Sequence, residues 1–229
     1  DVCKSRNQSF ESHQRMKLFK KIMITLFTAC MISACGEDEY VYPDVVTEFV
    51  CLQTDGQGTG YRLITDDGKS MDIPTDRRPT DKLTPDSIYR IISKYVPMGN
   101  EAKVYALQTV NAPLPKPESE FESIHTDAVN IQSIWRSGDY LNLILQVMVK
   151  DQKHQFAFID KGITQDTEGK QTLSITLFHN RNNDVEGFNQ KAYLSIPLWH
   201  YNGLLNPGDT IQLHLNTYKE GMTSRSYIY

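Results

Sequence analysis

Cysteine is scarce in this chain, and no long apolar run is present. The 229 residues include 4 cysteines, and after position 35 Cys51 is the only one, so an internal disulfide is excluded there. Cys51 lies in the apolar run 49–52, which predicts a buried strand cysteine rather than a catalytic thiol. No stretch reaches the roughly 18 to 20 apolar residues of a membrane-spanning helix.

Several catalytic signatures are also missing. There is no Gly-x-Ser-x-Gly, Walker-type or dinucleotide-binding motif, and the glycine-rich segment 56–60 joins two predicted strands instead of opening a helix. Five histidines follow position 35: His125, His154, His179, His200 and His214. None of them has the helical spacing of a metal-binding pair. We therefore predict no catalytic residue, no metal site and no cofactor.

Charge argues against one class of partner. Removing the six basic and two acidic residues of positions 1–34 from totals of 24 and 28 leaves 18 basic against 26 acidic residues, a net charge near −8 for residues 35–229. An acidic surface repels phosphates, so binding to nucleic acid is not expected.

Residues 16–34 have the composition of an export signal. Met16 is followed by three lysines and by an apolar run from Ile22 to Ile32, which is too short to span a bilayer. The small residues 33–34 then precede Cys35, as in a bacterial lipobox. We predict a signal peptide that ends before Cys35, and residues 1–15, which fit no export signal, are expected to be an upstream non-native extension.

Lipidation of Cys35 would attach the chain to a membrane. The thiol can form a thioether to diacylglycerol, and two or three acyl chains make such an anchor stable. Residues 35–42 then form a lipidated tether, whose acidic start at 36–39 is typical of surface-exported lipoproteins. We expect an outer-membrane lipoprotein of a Gram-negative bacterium, on the periplasmic or the cell-surface face.

The rest of the chain alternates in the manner of an all-β protein. Five short predicted strands within residues 43–111 suit a small OB-like barrel. Residues 112–123 contain three prolines and predict a Pro-rich linker. Residues 124–229 hold about six strands with period-two alternation, such as YLNLILQVMV at 140–149, which predicts an antiparallel β-sandwich domain.

These features together resemble the NigD-like lipoprotein family. The resemblance is carried by the lipobox, the barrel-like unit, the proline linker and the strands SGDYLNLILQV, HQFAFID and TLSITLFHNRNND. It implies an N-terminal OB-type domain, a C-terminal β-sandwich and a bacteriocin-immunity type of role. It transfers no catalytic residue.

Two groups of residues are candidates for ligand contact. Side-chain oxygens alternate at Asn180, Asn182, Asp184 and Glu186, a pattern that can surround calcium although it fails the EF-hand spacing; a plain polar hairpin loop is the alternative. The aromatic residues Trp135, Trp199 and Tyr201 could stack on a sugar if exposed, or could belong to the core.

The sequence therefore favours a lipid-anchored, non-enzymatic binding or protective protein. Its partner would be an unidentified protein or glycan outside the cytoplasm. The alternative is a surface glycan-processing hydrolase or an accessory glycan-binding protein, and a hydrolase requires two carboxylates facing each other across a cleft.

Overall fold

The computed structural model describes residues 44–78 and 83–229, and nearly all of its regular elements are β-strands. The predicted signal peptide and Cys35 lie outside the described residues. No helix within the described ranges is long and apolar enough to cross a membrane. The all-β prediction is confirmed.

The first five strands close into a barrel. They are β1 (Val46–Thr54), β2 (Gly60–Thr65), β3 (Ser70–Asp72), β4 (Ile88–Met98) and β5 (Glu101–Thr109). The order is β1-β2-β3-β5-β4, with β4 returning to β1, as in an OB-type barrel. Alternate residues such as Val50 and Leu52 face a core that also contains Leu63, Met71 and Ile91.

The remaining strands form two facing sheets. They are β6 (Lys116–Pro117), β7 (Asn130–Ser137), β8 (Tyr140–Val149), β9 (Gln155–Gln165), β10 (Gln171–Asn180), β11 (Phe188–Pro197), β12 (Thr210–Thr217) and β13 (Gly221–Ile228). One sheet has the order β13-β12-β10-β9-β6 and the other β11-β8-β7. The fully buried residues Leu141, Leu143 and Leu145 of β8 confirm the predicted alternation.

The sandwich is antiparallel except at two strand pairs. The chain leaves β10 for β11 in the opposite sheet and then returns as β12, so that β12 runs parallel to β10, as a crossover requires. The segment predicted as a linker also contributes, because Lys116–Pro117 pairs in parallel with Ile159–Asp160 of β9. A proline is tolerated there since β6 is an edge strand.

A buried ion pair lies on the side of the barrel that faces the sandwich. The guanidinium of Arg90, on β4, donates two hydrogen bonds of 2.5 and 2.8 Å to the carboxylate of Asp66, and the two side chains are only 2% and 12% exposed. Burial alone would lower the pKa of Arg90, but the hydrogen bonds and charge of Asp66 raise it. The guanidinium therefore stays charged inside the protein.

The same guanidinium reaches the sandwich. Its Nη2 donates to the Asn142 side-chain oxygen at 3.0 Å, and it lies 3.9 Å from the centre of the Tyr140 ring. Both partners are on β8. At the adjacent β7–β8 turn, Gly138 has φ +52°, and a Cβ there would lie 2.4 Å from the carbonyl oxygen of Asp66. Barrel and sandwich thus meet at a close backbone contact that only glycine permits.

The ion pair can be tested against an exposed pair of the same chemistry. Asp66→Asn leaves the buried Arg90 without a carboxylate, and we expect it to lower the free energy of unfolding by about 3–5 kcal/mol. Asp72→Asn is the matched control, because Asp72 pairs with Arg62 at 2.7 Å with side chains 60% and 39% exposed; its expected cost is about 0–1 kcal/mol. Urea unfolding measures both, and equal losses would contradict a central role for Arg90.

Candidate functional site

An open groove of about 690 Å³ lies where the barrel meets the sandwich. The end of β5 and the following residues form one wall, and the two sheets of the sandwich form the others. We call it the junction groove, lined by Gln108–Asn111, Val147, Val149, Gln152–Phe156 and Gln190–Leu194. Its volume falls within the range of small-molecule and cofactor sites.

The groove is basic within an acidic chain. Lys153 and Lys191 line it, together with His154, and none of its described lining residues is Asp or Glu. The whole chain has a formal net charge of −4. Apolar residues such as Val149 and Phe156 also line the groove. The groove therefore suits a ligand that combines apolar and anionic groups.

Two histidines meet at one end of the groove. Nδ1 of His154 lies 2.9 Å from Nε2 of His179, and Nδ1 of His179 lies 2.9 Å from the carbonyl oxygen of Asp127. A carbonyl only accepts, so His179 carries its proton on Nδ1 and accepts at Nε2 from His154. The ring of Phe156 stacks on His179 at 4.5 Å. Protonating His179 would set two N–H donors face to face.

Asp184 completes this cluster from the opposite loop. Its carboxylate accepts the backbone N–H groups of Lys150 at 2.7 Å and Asp151 at 3.0 Å, and it lies 3.4 Å from Nε2 of His154. Burial raises the pKa of Asp184, but hydrogen bonds from the backbone of residues 150–152 outweigh burial and hold the pKa well below its usual range. The ionised carboxylate thus secures the β8–β9 turn.

The four residues of the predicted ion loop have separate surroundings. Asp184 is buried and turned to the β8–β9 backbone, whereas Glu186 is exposed near Arg181, at 3.9 Å. The Asn180 side-chain oxygen accepts the backbone N–H of Asn182 at 2.8 Å. Within residues 44–78 and 83–229, no group of three or more His, Cys, Asp or Glu side chains is placed to hold a metal ion. Calcium binding stays one of two interpretations of the loop, beside the plain polar hairpin.

The three candidate aromatic residues do not form one platform. Trp135 packs edge-on against Phe49 with ring centres 5.1 Å apart. Tyr201 is 2% exposed and donates to the Asp160 carboxylate at 3.0 Å. Trp199 alone of the three is largely exposed, at 44%, and it borders a separate cleft of about 320 Å³ with Tyr140. Cys51 is a buried free cysteine, as predicted.

Sequence analysis missed the histidine cluster. Helical spacing does not reveal it, because the two histidines meet through the β9–β10 hairpin, in which Phe156 pairs with His179. His154 lies two residues before Phe156 and so falls diagonally opposite His179. Aligning the two predicted strands as a hairpin would have brought the two rings together, but Asp184 enters from a loop without regular spacing.

The histidine cluster predicts acid sensitivity. Burial is the main cause that lowers the pKa of His179, and the charges of His154 and Arg181 lower it further, against the opposing effect of Asp127. The unfolded chain then binds a proton more readily, so this stabilisation is complete above about pH 6.5 and is lost as pH falls through the folded-state pKa. We expect the free energy of unfolding to fall between pH 7.5 and pH 5.

His179→Gln tests this assignment, and His200→Gln is its matched control. The first removes the buried ring and should flatten the dependence of unfolding free energy on pH, whatever its effect at neutral pH. The second changes an exposed histidine and should retain the wild-type slope. Urea unfolding at several pH values measures the slopes, and an unaltered slope in His179→Gln would rule out the assignment.

Comparison with known proteins identifies the family. The model of the NigD-like C-terminal beta sandwich domain matches residues 112–229. A NigD-like immunity protein from Bacteroides caccae is 30% identical, with a TM-score of 0.63, over 82% of this chain and 94% of that chain. Among curated proteins, none matches significantly.

More distant structures share the fold alone. A toxin-related protein from Parabacteroides distasonis is 18% identical, with a TM-score of 0.61, over 81% of this chain and 93% of that chain. A protein of unknown function from Bacteroides vulgatus is also 18% identical, with a TM-score of 0.61, over 81% and 90%. The family model and the Bacteroides caccae structure together establish that this chain belongs to the NigD-like family.

Proposed function

We propose that this chain is an exported, lipid-anchored protein of immunity type that binds a partner outside the cytoplasm and carries no catalytic centre. The observation that carries the proposal is its likeness to the Bacteroides caccae protein, which is described as an immunity protein and is matched over 94% of its length. The match covers 82% of this chain and therefore extends beyond the sandwich domain at 112–229.

The junction groove supports a binding role. It combines apolar surface with the charges of Lys153 and Lys191. Asn111 connects its walls through bonds to β11 and to the Phe156 carbonyl. Two titratable groups near the groove make structural hydrogen bonds: Asp184 accepts backbone N–H groups, and His179 donates to the Asp127 carbonyl. A ligand would therefore meet a prearranged surface, which favours binding because little ordering is required.

Anchoring at Cys35 would keep that groove at a membrane surface. The support is the lysine-rich start, the apolar run and the small residues before Cys35 in the sequence. We propose the outer membrane as the location. A partner that approaches the cell would then meet the protein before it reaches the interior.

Lipidation is tested by metabolic labelling with a clickable fatty acid. We expect the intact chain to incorporate the label and Cys35→Ser to lose it, because only a thiol at the lipobox position can form the thioether. Cys51→Ser is the control, since Cys51 is buried against Tyr140 of the sandwich, and it should label as the wild type does. Persistent labelling of Cys35→Ser would refute the anchor.

The immunity role is tested by co-culture. An immunity protein protects a cell from a product of its own strain, so a deletion strain should grow normally alone but decline beside its parent. Wild-type chain should restore survival, and Cys35→Ser, which loses the anchor, should restore it poorly. Equal survival of the deletion strain would contradict the role. Turnover of a glycan, peptide or ester substrate that one acidic or hydroxyl substitution abolishes would contradict the non-enzymatic assignment.

A further inference from the structure

One wall of the junction groove is the unpaired edge of a sheet. On its inner side β11 pairs with β8 along its whole length, from Phe188 opposite Val149 to Pro197 opposite Tyr140. On its outer side a single described residue, Asn111, bridges to it at Leu194. The stretch from Phe188 to Lys191 is exposed. An exposed edge of this kind is a template for another strand.

The bridge at Asn111 identifies the outward-facing backbone groups. Asn111 donates its N–H to the carbonyl of Tyr193 and accepts from the N–H of Ser195, both at 3.0 Å. Backbone groups alternate in direction along a strand, so Lys191 and Asn189 point the same way as Tyr193 and Ser195. Within the described ranges, no backbone bond outside the sheets involves Lys191 or Asn189. Their N–H and C=O groups are available to a new strand.

The groove leaves room for that strand. The distance along β11 from Phe188 to Ala192 is about 13 Å, four steps of about 3.3 Å in extended conformation. The opposite side is formed by the start of β9, where the carbonyl of Phe156 accepts the side-chain amide of Asn111 at 3.2 Å. Asn111 therefore lies at the far end of the groove. It already forms one bridge to β11, and an added strand would continue the pairing from there.

Charge selects the kind of strand. Lys191 lies on the free edge itself and Lys153 on the opposite wall, and the described lining contains no carboxylate. A lysine on an edge strand discourages pairing with neutral or basic strands. It is compensated when the incoming strand has acidic side chains opposite, since unlike charges across a strand pair stabilise it. The two lysines therefore disfavour pairing between the β11 edges of two copies of this chain, and they also disfavour pairing with basic peptides.

We propose that an extended, acidic peptide segment of a partner protein adds as a strand to the free edge of β11 in the junction groove, next to Asn111. The proposal rests on the proposed binding function and names the partner class and the way it is held. Main-chain hydrogen bonds to Asn189 and Lys191 supply the pairing, and Lys153 and Lys191 supply the selectivity.

The test uses three synthetic probes and the full chain in detergent. The first is a fluorescent nine-residue peptide that alternates valine and glutamate. The second replaces every glutamate by lysine, and the third is the acidic peptide with alternate amides N-methylated, which removes strand hydrogen bonds. Fluorescence anisotropy should show binding of the first probe, with at least tenfold weaker binding of the other two. Equal binding of all three probes, or no binding of the acidic probe at millimolar protein, would overturn the proposal.

Two substitutions at one position separate charge from backbone pairing. Lys191→Ala removes the charge, and Lys191→Pro also removes an N–H that faces the groove rather than β8, so the β8 pairing is preserved. We expect the acidic probe to bind Lys191→Pro about fivefold more weakly than Lys191→Ala, the effect of one hydrogen bond. Lys219→Ala, a loss of charge on an exposed residue away from the groove, should bind as the wild type does.

Each outcome distinguishes this inference from the proposed function. Equal binding by Lys191→Ala and Lys191→Pro, both folded by circular dichroism, refutes strand addition; if the proline variant unfolds, the N-methylated probe alone decides the question. In co-culture, full protection by Lys191→Pro would refute this site while the immunity role stands. If the deletion strain survives in co-culture as well as its parent does, the immunity role itself is refuted, whatever the probes show.

Discussion

The buried pair of Arg90 and Asp66 is the interaction on which the arrangement of the two β-units depends. Both residues belong to the barrel, yet the guanidinium also reaches Asn142 and the ring of Tyr140 on the sandwich. Two charges withdrawn from water cost several kcal/mol unless their hydrogen bonds are satisfied. The sandwich satisfies part of that requirement, so the barrel keeps its buried charge only when the sandwich is in place.

That dependence explains why the groove is a property of the junction rather than of either unit. One wall is the end of the barrel and the residues that follow it, and the others are β11 and the β8–β9 turn. Asn111 connects them through its bonds to Tyr193, Ser195 and the Phe156 carbonyl. A rigid junction therefore sets the width of the groove and the direction in which the free groups of β11 point.

The turn at the other end of the groove is held by electrostatics instead of by packing. Asp184 accepts backbone N–H groups of the β8–β9 turn, and the His154–His179 pair ties that turn to β10 and to the Asp127 carbonyl. Asp184 and His179, at the two ends of this chain of contacts, are both buried. One end of the groove is thus held by the bonds of Asn111, and the other by Asp184 and the histidine pair, whose hydrogen bond is lost when His179 is protonated.

The sequence by itself determined the strands, the two cores and the family, because the period-two alternation of residues such as Leu141, Leu143 and Leu145 is local and survives any arrangement of sheets. It also indicated the separation into barrel and sandwich from the spacing of strands and prolines. Only the tertiary structure decided which polar residues meet. Arg90 and Asp66, His154 and His179, and Asp184 with the β8–β9 turn are joined by barrel closure, hairpin register and loop conformation. The free edge of β11 likewise follows from which strands are neighbours, and alternation within one strand carries no information about its neighbours.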